Sequence, residues 1–339
     1  MNTSTKLALA LIGGAGLSLA ARSWIRQRRR IELSGRVVVI TGASSGLGLL
    51  LARKAARRGA VVVLVARDAE AIEQAARELI DEGAQATLAI PTDIADQSAV
   101  DAMIGRVIRQ FGRIDVLINN AAIMMVGPLD SMTLDDLRRV HDVNFWGGVY
   151  CSFAALPHMR SAGGGRIGNV ISVGGRIAVP HMLPYTVGKF AFSGFTRGLY
   201  PELVKDNIYV TGFYPAMIRT GGHTNALMKG DRDAEYAWFA AGDVNPITAT
   251  SAHTAAERFL EGICNGDPEA RVSWPARLGP IVDAIAPAWF AELNALIERS
   301  MPQPDDADEF DGPAVPGGRL GGTIPQFLGR FVPDQARPG

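Results

Sequence analysis

The chain of 339 residues contains only two cysteines, Cys151 and Cys264, too few and too far apart for a disulfide framework or a cysteine-based zinc site. That scarcity fits a reducing compartment. The five histidines, at positions 141, 158, 181, 223 and 253, show no ligand spacing, so no metal is expected. Net charge is zero, with 34 basic and 34 acidic residues, which leaves no basic surplus to hold nucleic acid. No apolar run reaches the ~20 residues that a membrane-spanning helix needs. What remains is a globular composition, 47% hydrophobic and 20% charged, long enough for one large domain with appendages or for two domains.

The nearest approach to a span is Leu7 to Ala21, apolar and uncharged, followed by the arginine-rich stretch from Arg22 to Arg30. Its positive charge follows the apolar run, the reverse of a secretory signal. Three readings stand: a short membrane anchor with the arginines and the rest of the chain on the cytoplasmic side, an interfacial helix, or a helix packed on the domain. Membrane association at the cytoplasmic face is preferred over a soluble cytoplasmic protein.

Arg36 to Ile40 is a β-branched apolar run that reads as a buried strand. It leads directly into Thr41-Gly-Ala-Ser-Ser-Gly-Leu-Gly48 and then a helix-like stretch from Leu49 to Arg58. Strand, glycine turn and helix together aim backbone N–H groups at a phosphate. Further strands are expected at residues 60–65, 85–90, 116–118, 166–171 and 209–213, alternating with helices. Thr133 to Met159 reads as one long helix and Pro184 to Val204 as another, with Pro201 kinking or ending the latter. This alternation predicts an α/β fold with a Rossmann-like, doubly wound parallel sheet. Ligands on such sheets bind beyond the carboxyl ends of the strands. Gly42, Asp93, Asn119, Ser172 and Pro215 all fall there, which gathers five segments around one cleft.

Tyr185 and Lys189 lie four residues apart, one turn apart on a helix face. An ammonium so placed is expected to lower the phenol's pKa from about 10 and fit it for proton transfer to a substrate oxygen. Taken together, these motifs make the chain resemble the short-chain dehydrogenase/reductase superfamily over residues 34 to 275. The resemblance implies a catalytic set of Asn144, Ser172, Tyr185 and Lys189, in which Ser172 orients the carbonyl and Asn144 supports a water relaying protons through Lys189. It also implies a cofactor site formed by Thr41, Gly42, Ser44, Ser45, Gly46, Leu47, Gly48, Asp93, Ile94, Asn119, Ala121, Tyr185, Lys189, Pro215, Ile218 and Thr220. Two positions, Ala122 and Ala216, carry alanine where the family usually has glycine.

The second strand ends Val65-Ala66-Arg67, without the acidic residue that NAD enzymes use on the ribose 2′-hydroxyl. Arg67 can pair with a 2′-phosphate, so NADP(H) is preferred over NAD(H), with Asp68 read as an N-cap for the following helix. Residues around Met124, Met125, Val179, Met182, Leu227, Met228, Tyr236 and Phe239 suggest an apolar wall and a hydrophobic ketone, aldehyde or alcohol substrate. Arg176, His181 and Arg219 are polar exceptions beside it, and residues 220–242 are the candidate lid. The expected organisation is an N-terminal segment (1–33), a cofactor domain (34–275) with a substrate loop at 215–242, an amphipathic helical extension (276–301) and a Pro/Gly-rich tail (302–339). A ketoacyl-thioester reductase and a non-catalytic NADPH-binding sensor are the competing readings, and association into a homo-oligomer is left open.

Overall fold

The computed structural model describes residues 21–244, 249–270, 275–302 and 314–316. The apolar run at residues 7–20 lies outside them, as does most of the tail. Among the described residues no helix is long and apolar enough to cross a membrane. Residues 21–29 form helix α1, which carries the arginine-rich stretch.

A seven-stranded parallel sheet organises the rest, in the order β11-β7-β6-β4-β1-β2-β3. Its strands are β1 (Val37–Thr41), β2 (Val61–Ala66), β3 (Ala86–Pro91), β4 (Val116–Asn119), β6 (Gly165–Val170), β7 (Ile208–Phe213) and β11 (Glu269–Ala270). The expected Rossmann-like, doubly wound architecture is thus observed. β1 is buried along its whole length, as its unbroken Val-Val-Val-Ile-Thr sequence requires of a central strand covered on both faces. Two apolar layers do the covering. One places α2 (Gly46–Arg57) and α9 (Ala252–Asn265) on one face, with Leu51, Phe213 and Phe259 among the buried side chains. The other places α4 (Gln97–Phe111) and α6 (Gly147–Ser161) on the opposite face, around Val100, Ile104, Cys151 and Leu156. Both cysteines are buried and unpaired.

α3 (Ala69–Asp81) begins where expected, because the Asp68 carboxylate accepts a hydrogen bond from the Ala71 N–H at 3.0 Å. α5 (Leu134–His141) starts in a capping box made by Thr133 and Asp136. The single helix expected from Thr133 to Met159 is instead three pieces. Asp142–Trp146 is a π-helical turn between α5 and α6, and Asn144 sits in it. α7 (Leu183–Leu203) carries Tyr185 and Lys189 and takes Pro201 within its last turn, so the proline ends the helix without disturbing the pair.

Beyond the strand ends lies a smaller three-stranded sheet. β5 (Met125–Val126) pairs with β9 (Leu227–Met228), which in turn pairs with β12 (Val315–Pro316). β12 belongs to the Pro/Gly-rich tail. Its one described segment is this strand. A third small pairing joins β8 (Met217–Arg219) to β10 (Ala249–Ser251). α8 (Arg232–Val244) covers this region, and α10 (Pro275–Ile285) and α11 (Pro287–Glu298) follow as a helical hairpin.

Candidate active site

The glycine turn closes on itself tightly. A Cβ at Gly48 would lie 2.0 Å from the Gly42 carbonyl oxygen, and one at Gly42 2.8 Å from the Ala121 Cα. Gly42 and Gly46 adopt positive φ, at 64° and 55°, which residues with side chains take only at a cost. The turn delivers the chain into the N-terminus of α2, whose first turn has no acidic residue and no side-chain cap from Ser45. Its N–H groups and dipole therefore face a cleft suited to an anion.

That cleft has a volume of about 600 Å³. Gly42, Ser44, Ser45, Gly46, Leu47 and Gly48 line it, with Arg67 and Asp68 from the end of β2, Asp93 and Ile94 from beyond β3, and Ala121 from beyond β4. Ten of the expected cofactor residues thus meet in one place. Arg139 from α5 and Pro316 from β12 also line it, and neither was singled out in the sequence. The shape and chemistry fit a dinucleotide: an anion-ready helix end, a turn whose Gly42, Gly46 and Gly48 carry no Cβ, and an exposed arginine at the end of β2.

Two expected residues play different parts. Thr41 is buried and braces the turn, its hydroxyl accepting from the N–H groups of Asn120 (3.0 Å) and Ala121 (3.1 Å). Asn119 turns away from the cleft. Its Nδ2 donates to Ser152 Oγ at 3.1 Å and to Asn169 Oδ1 at 2.9 Å, in a buried polar network that continues to Thr196. The next residue, Asn120, reaches the glycine turn instead, donating to the carbonyls of Thr41 (2.9 Å) and Gly42 (3.0 Å).

Asn144 joins the cleft to the second half of the site. Its Oδ1 accepts from the Ile123 N–H at 2.8 Å and its Nδ2 donates to the Ile123 carbonyl at 2.9 Å. Both ends of the amide are therefore engaged, and the side chain acts as a clamp on the strand-end loop. One N–H and one oxygen lone pair of the amide remain beyond these two bonds. Gly188 allows the approach, as a Cβ there would touch Asn144 Cβ at 3.0 Å.

Ser172 follows β6 with φ 143° and ψ 163°, a conformation that side chains other than hydrogen rarely take. The strain is held by a hydrogen bond from the Gly174 N–H to Ser172 Oγ at 3.1 Å and by one from the Val173 N–H to the Pro215 carbonyl at 2.7 Å. Strained residues of this kind cluster at functional sites. Ser172 is within hydrogen-bonding reach of the Tyr185 phenol.

Tyr185 is buried, and burial raises its pKa, an effect the Ser172 hydrogen bond partly opposes. The expected lowering by Lys189 is absent in the protein alone. Lys189, only 2% exposed, donates from Nζ to the Val170 carbonyl at 3.0 Å and lies 5.7 Å from the Tyr185 ring centroid. Burial pushes its ammonium down to about 7. The two residues do share a helix face, and burial sets the direction of the phenol's shift.

The depressed ammonium has a thermodynamic consequence. Between pH 7 and the unfolded value of 10.5 the unfolded chain binds more protons than the folded one, so stability rises with pH across that window. Below about pH 7 the cost is constant and complete. Lys189→Met should therefore stabilise the cofactor-free protein at pH 6.5 by up to a few kcal/mol, less about 1 kcal/mol for the lost bond to Val170. The gain should shrink towards pH 10. Urea melts at several pH values check this; a gain that grows with pH would contradict it.

Several of the residues expected in the apolar wall pack together. Met182, Tyr185, Met228, Tyr236, Phe239 and Val126 make one buried cluster, with Met124, Val179 and Met217 packed against it. Two of the three expected polar exceptions, Arg176 and His181, are engaged elsewhere. Arg176 pairs with Glu269 at 2.6 Å and stacks over Tyr214 at 3.7 Å. His181, at φ 57°, is buried and bonded through Nδ1 to the fully buried Glu235 of α8. This pair ties the segment before Tyr185 to α8, and nothing local to either residue marks the other as its partner. Among the described residues no group of three metal-ligating side chains is present.

A family model described as short chain dehydrogenase matches residues 36–229. A Drosophila melanogaster protein named dehydrogenase/reductase SDR family protein 7-like is 34% identical over 252 residues, covering 73% of this chain and 75% of its own length. A fatty acyl-CoA reductase from Acinetobacter baylyi is 33% identical over 193 residues, covering 56% of this chain and 65% of its own. The crystal structure of L-sorbose reductase from Gluconobacter frateurii, complexed with NADPH and L-sorbose, superimposes with a TM-score of 0.62 at 29% identity. That likeness covers 69% of this chain and 92% of the reductase.

Proposed function

Because the chain belongs to the short-chain dehydrogenase family, we propose that it is an NADP(H)-dependent oxidoreductase that interconverts a hydrophobic ketone or aldehyde and its alcohol, at the cytoplasmic face of a membrane. The observation that carries the reading is the convergence beyond the strand ends of a phosphate-suited cleft and, joined to it through Asn144 and Ile123, a buried Tyr185 beside Ser172. When bound, the nicotinamide supplies the hydride. Tyr185 donates a proton to the carbonyl oxygen in reduction and removes it in oxidation. Ser172 holds that oxygen against the phenol. Asn144 fixes Ile123, and so the loop between the cleft and the apolar wall. Lys189 holds the nicotinamide ribose and restores positive charge beside the phenol.

NADP(H) over NAD(H) is favoured by the end of β2. Arg67 is exposed at the cleft, while its acidic neighbour Asp68 is engaged in capping α3. A guanidinium there pairs with a 2′-phosphate. Arg67→Ala should raise the Michaelis constant for NADPH about 10-fold or more, the worth of a charge-assisted hydrogen bond, and leave that for NADH nearly unchanged. Equal behaviour towards both cofactors would remove the preference.

The substrate class rests on the Met-rich wall beside Tyr185. The relatives span the range, from an acyl-CoA reductase to an enzyme complexed with a sugar, L-sorbose. A panel of long-chain, aromatic and sugar carbonyls with NADPH tests it. Turnover with the apolar members is expected, and turnover confined to sugars would overturn the apolar assignment.

A further inference from the structure

The hairpin of α10 and α11 presents an apolar surface that the rest of the chain leaves uncovered. Ile285 is 79% exposed and Trp289 81%, and Leu278, Ile281, Leu293 and Leu296 join them. α11 has no buried residue at all. A contiguous apolar surface of this kind on a soluble domain marks an interface. The hairpin is seated on the segment between Ser172 and Tyr185. Asn294 Nδ2 donates to the Ala178 carbonyl at 3.3 Å, and Gly279 packs on the Ile177 side chain.

Beside it lies α1. Arg22 shares one surface depression with Pro280, Asp283 and Ala284 of α10. α1 is fastened to the body by Arg26 on Asp267, and Arg30 just past its end pairs with Glu261, while Arg22, Arg28 and Trp24 are exposed. The 15-residue apolar run Leu7 to Ala21 ends next to this point. Such a run is short for a span, and a single short apolar signal holds a protein to a bilayer only weakly. A second apolar element is needed, and it has to sit where the first one ends.

We infer that the α10–α11 hairpin and α1 form one membrane-seating face, with the hairpin's Ile285–Trp289 edge in the acyl boundary and Arg22 and Arg28 among anionic headgroups. It rests on the membrane placement in the proposed function and assigns the surface responsible. An exposed tryptophan flanked by arginines, as Trp24 is, suits the interfacial depth of a bilayer. Seated this way, the hairpin lies between the lipid, a source of apolar carbonyls, and the segment that leads into Tyr185.

The test uses the full chain and vesicles of phosphatidylcholine with and without phosphatidylglycerol. Both Ile285 and Trp289 are exposed, so Ile285→Glu with Trp289→Glu should leave the melting temperature and the NADPH titration unchanged. It should weaken vesicle binding about 10-fold or more. Arg22→Glu with Arg28→Glu should weaken binding to the phosphatidylglycerol vesicles and leave the pure phosphatidylcholine result nearly as it was. Undiminished binding by the Ile285/Trp289 variant would overturn the assignment and leave the N-terminal run as sole anchor. A variant that changes from dimer to monomer, with vesicle binding unaltered, would also overturn it and make this face a contact between copies of the chain. Loss of NADPH binding in the unmutated chain would count against the proposed function and not against the seating face.

Discussion

Tyr185→Phe is expected to lower turnover by about 100- to 10,000-fold, the range for loss of a positioned general acid, with NADPH affinity within a few-fold of the original. The substitution removes one oxygen from a side chain that is buried among Met182, Met228 and Phe239. Phe fills the same space, so the packing that holds α7 against the lid should persist. What disappears is the proton on the substrate oxygen and the partner of the Ser172 hydroxyl. The cleft that holds the cofactor is built from the glycine turn and the ends of β2, β3 and β4, none of which depends on the phenol. Steady-state rates with a reducible carbonyl, alongside a fluorescence titration with NADPH, separate the two effects. A variant with half the original rate would remove Tyr185 from the chemistry.

Gly48→Ala is expected to be the most damaging single methyl in the cofactor half. Its Cβ would stand 2.0 Å from the Gly42 carbonyl oxygen and 2.6 Å from Asn120 Nδ2. Neither can move alone, because Asn120 holds the carbonyls of Thr41 and Gly42 and Thr41 holds the N–H groups of Asn120 and Ala121. The turn must open, at a cost of about 2–3 kcal/mol in stability, and the N–H groups at the start of α2 are then misaimed. NADPH affinity should fall about 100-fold. Gly46→Ala is the control. Its Cβ would meet nothing closer than Thr220 at 3.7 Å, so only the positive φ penalises it, by about 1 kcal/mol. Equal effects of the two substitutions, read by titration and melting, would show that crowding in the turn is not what glycine prevents.

Much of this was legible in the sequence. The unbroken β-branched run before Thr41, the glycine spacing and the positions of Asp93, Ser172 and Pro215 at strand ends were enough to predict a parallel sheet and one cleft. The end of β2 was also readable residue by residue: Asp68 does cap α3. What was not legible depends on register and on long-range contacts. Asn119 and Asn120 are adjacent, and successive strand residues face opposite ways. Only the pairing of Asn119 with Asn169 across β4 and β6 sends the first into the buried network and leaves the second to the turn. Asn144 was placed on a regular helix, but the π-helical turn at Asp142–Trp146 aims its amide at Ile123. The spacing of Tyr185 and Lys189 put them on one face and could not reveal that Nζ bonds the Val170 carbonyl, 19 residues back. His181 and Glu235 are 54 residues apart, and nothing local to either marks the other as its partner.

The central claim is hydride transfer at Tyr185 between a nicotinamide and a carbonyl carbon. It is tested most directly by reducing an apolar ketone with NADPH carrying deuterium at the transferable C4 position and examining the alcohol by mass spectrometry. The account predicts one deuterium on the carbinol carbon with the original protein and product formed at least about 100-fold more slowly with Tyr185→Phe. Alcohol formed without the label, or labelled alcohol formed as readily by the Tyr185→Phe protein, would contradict it.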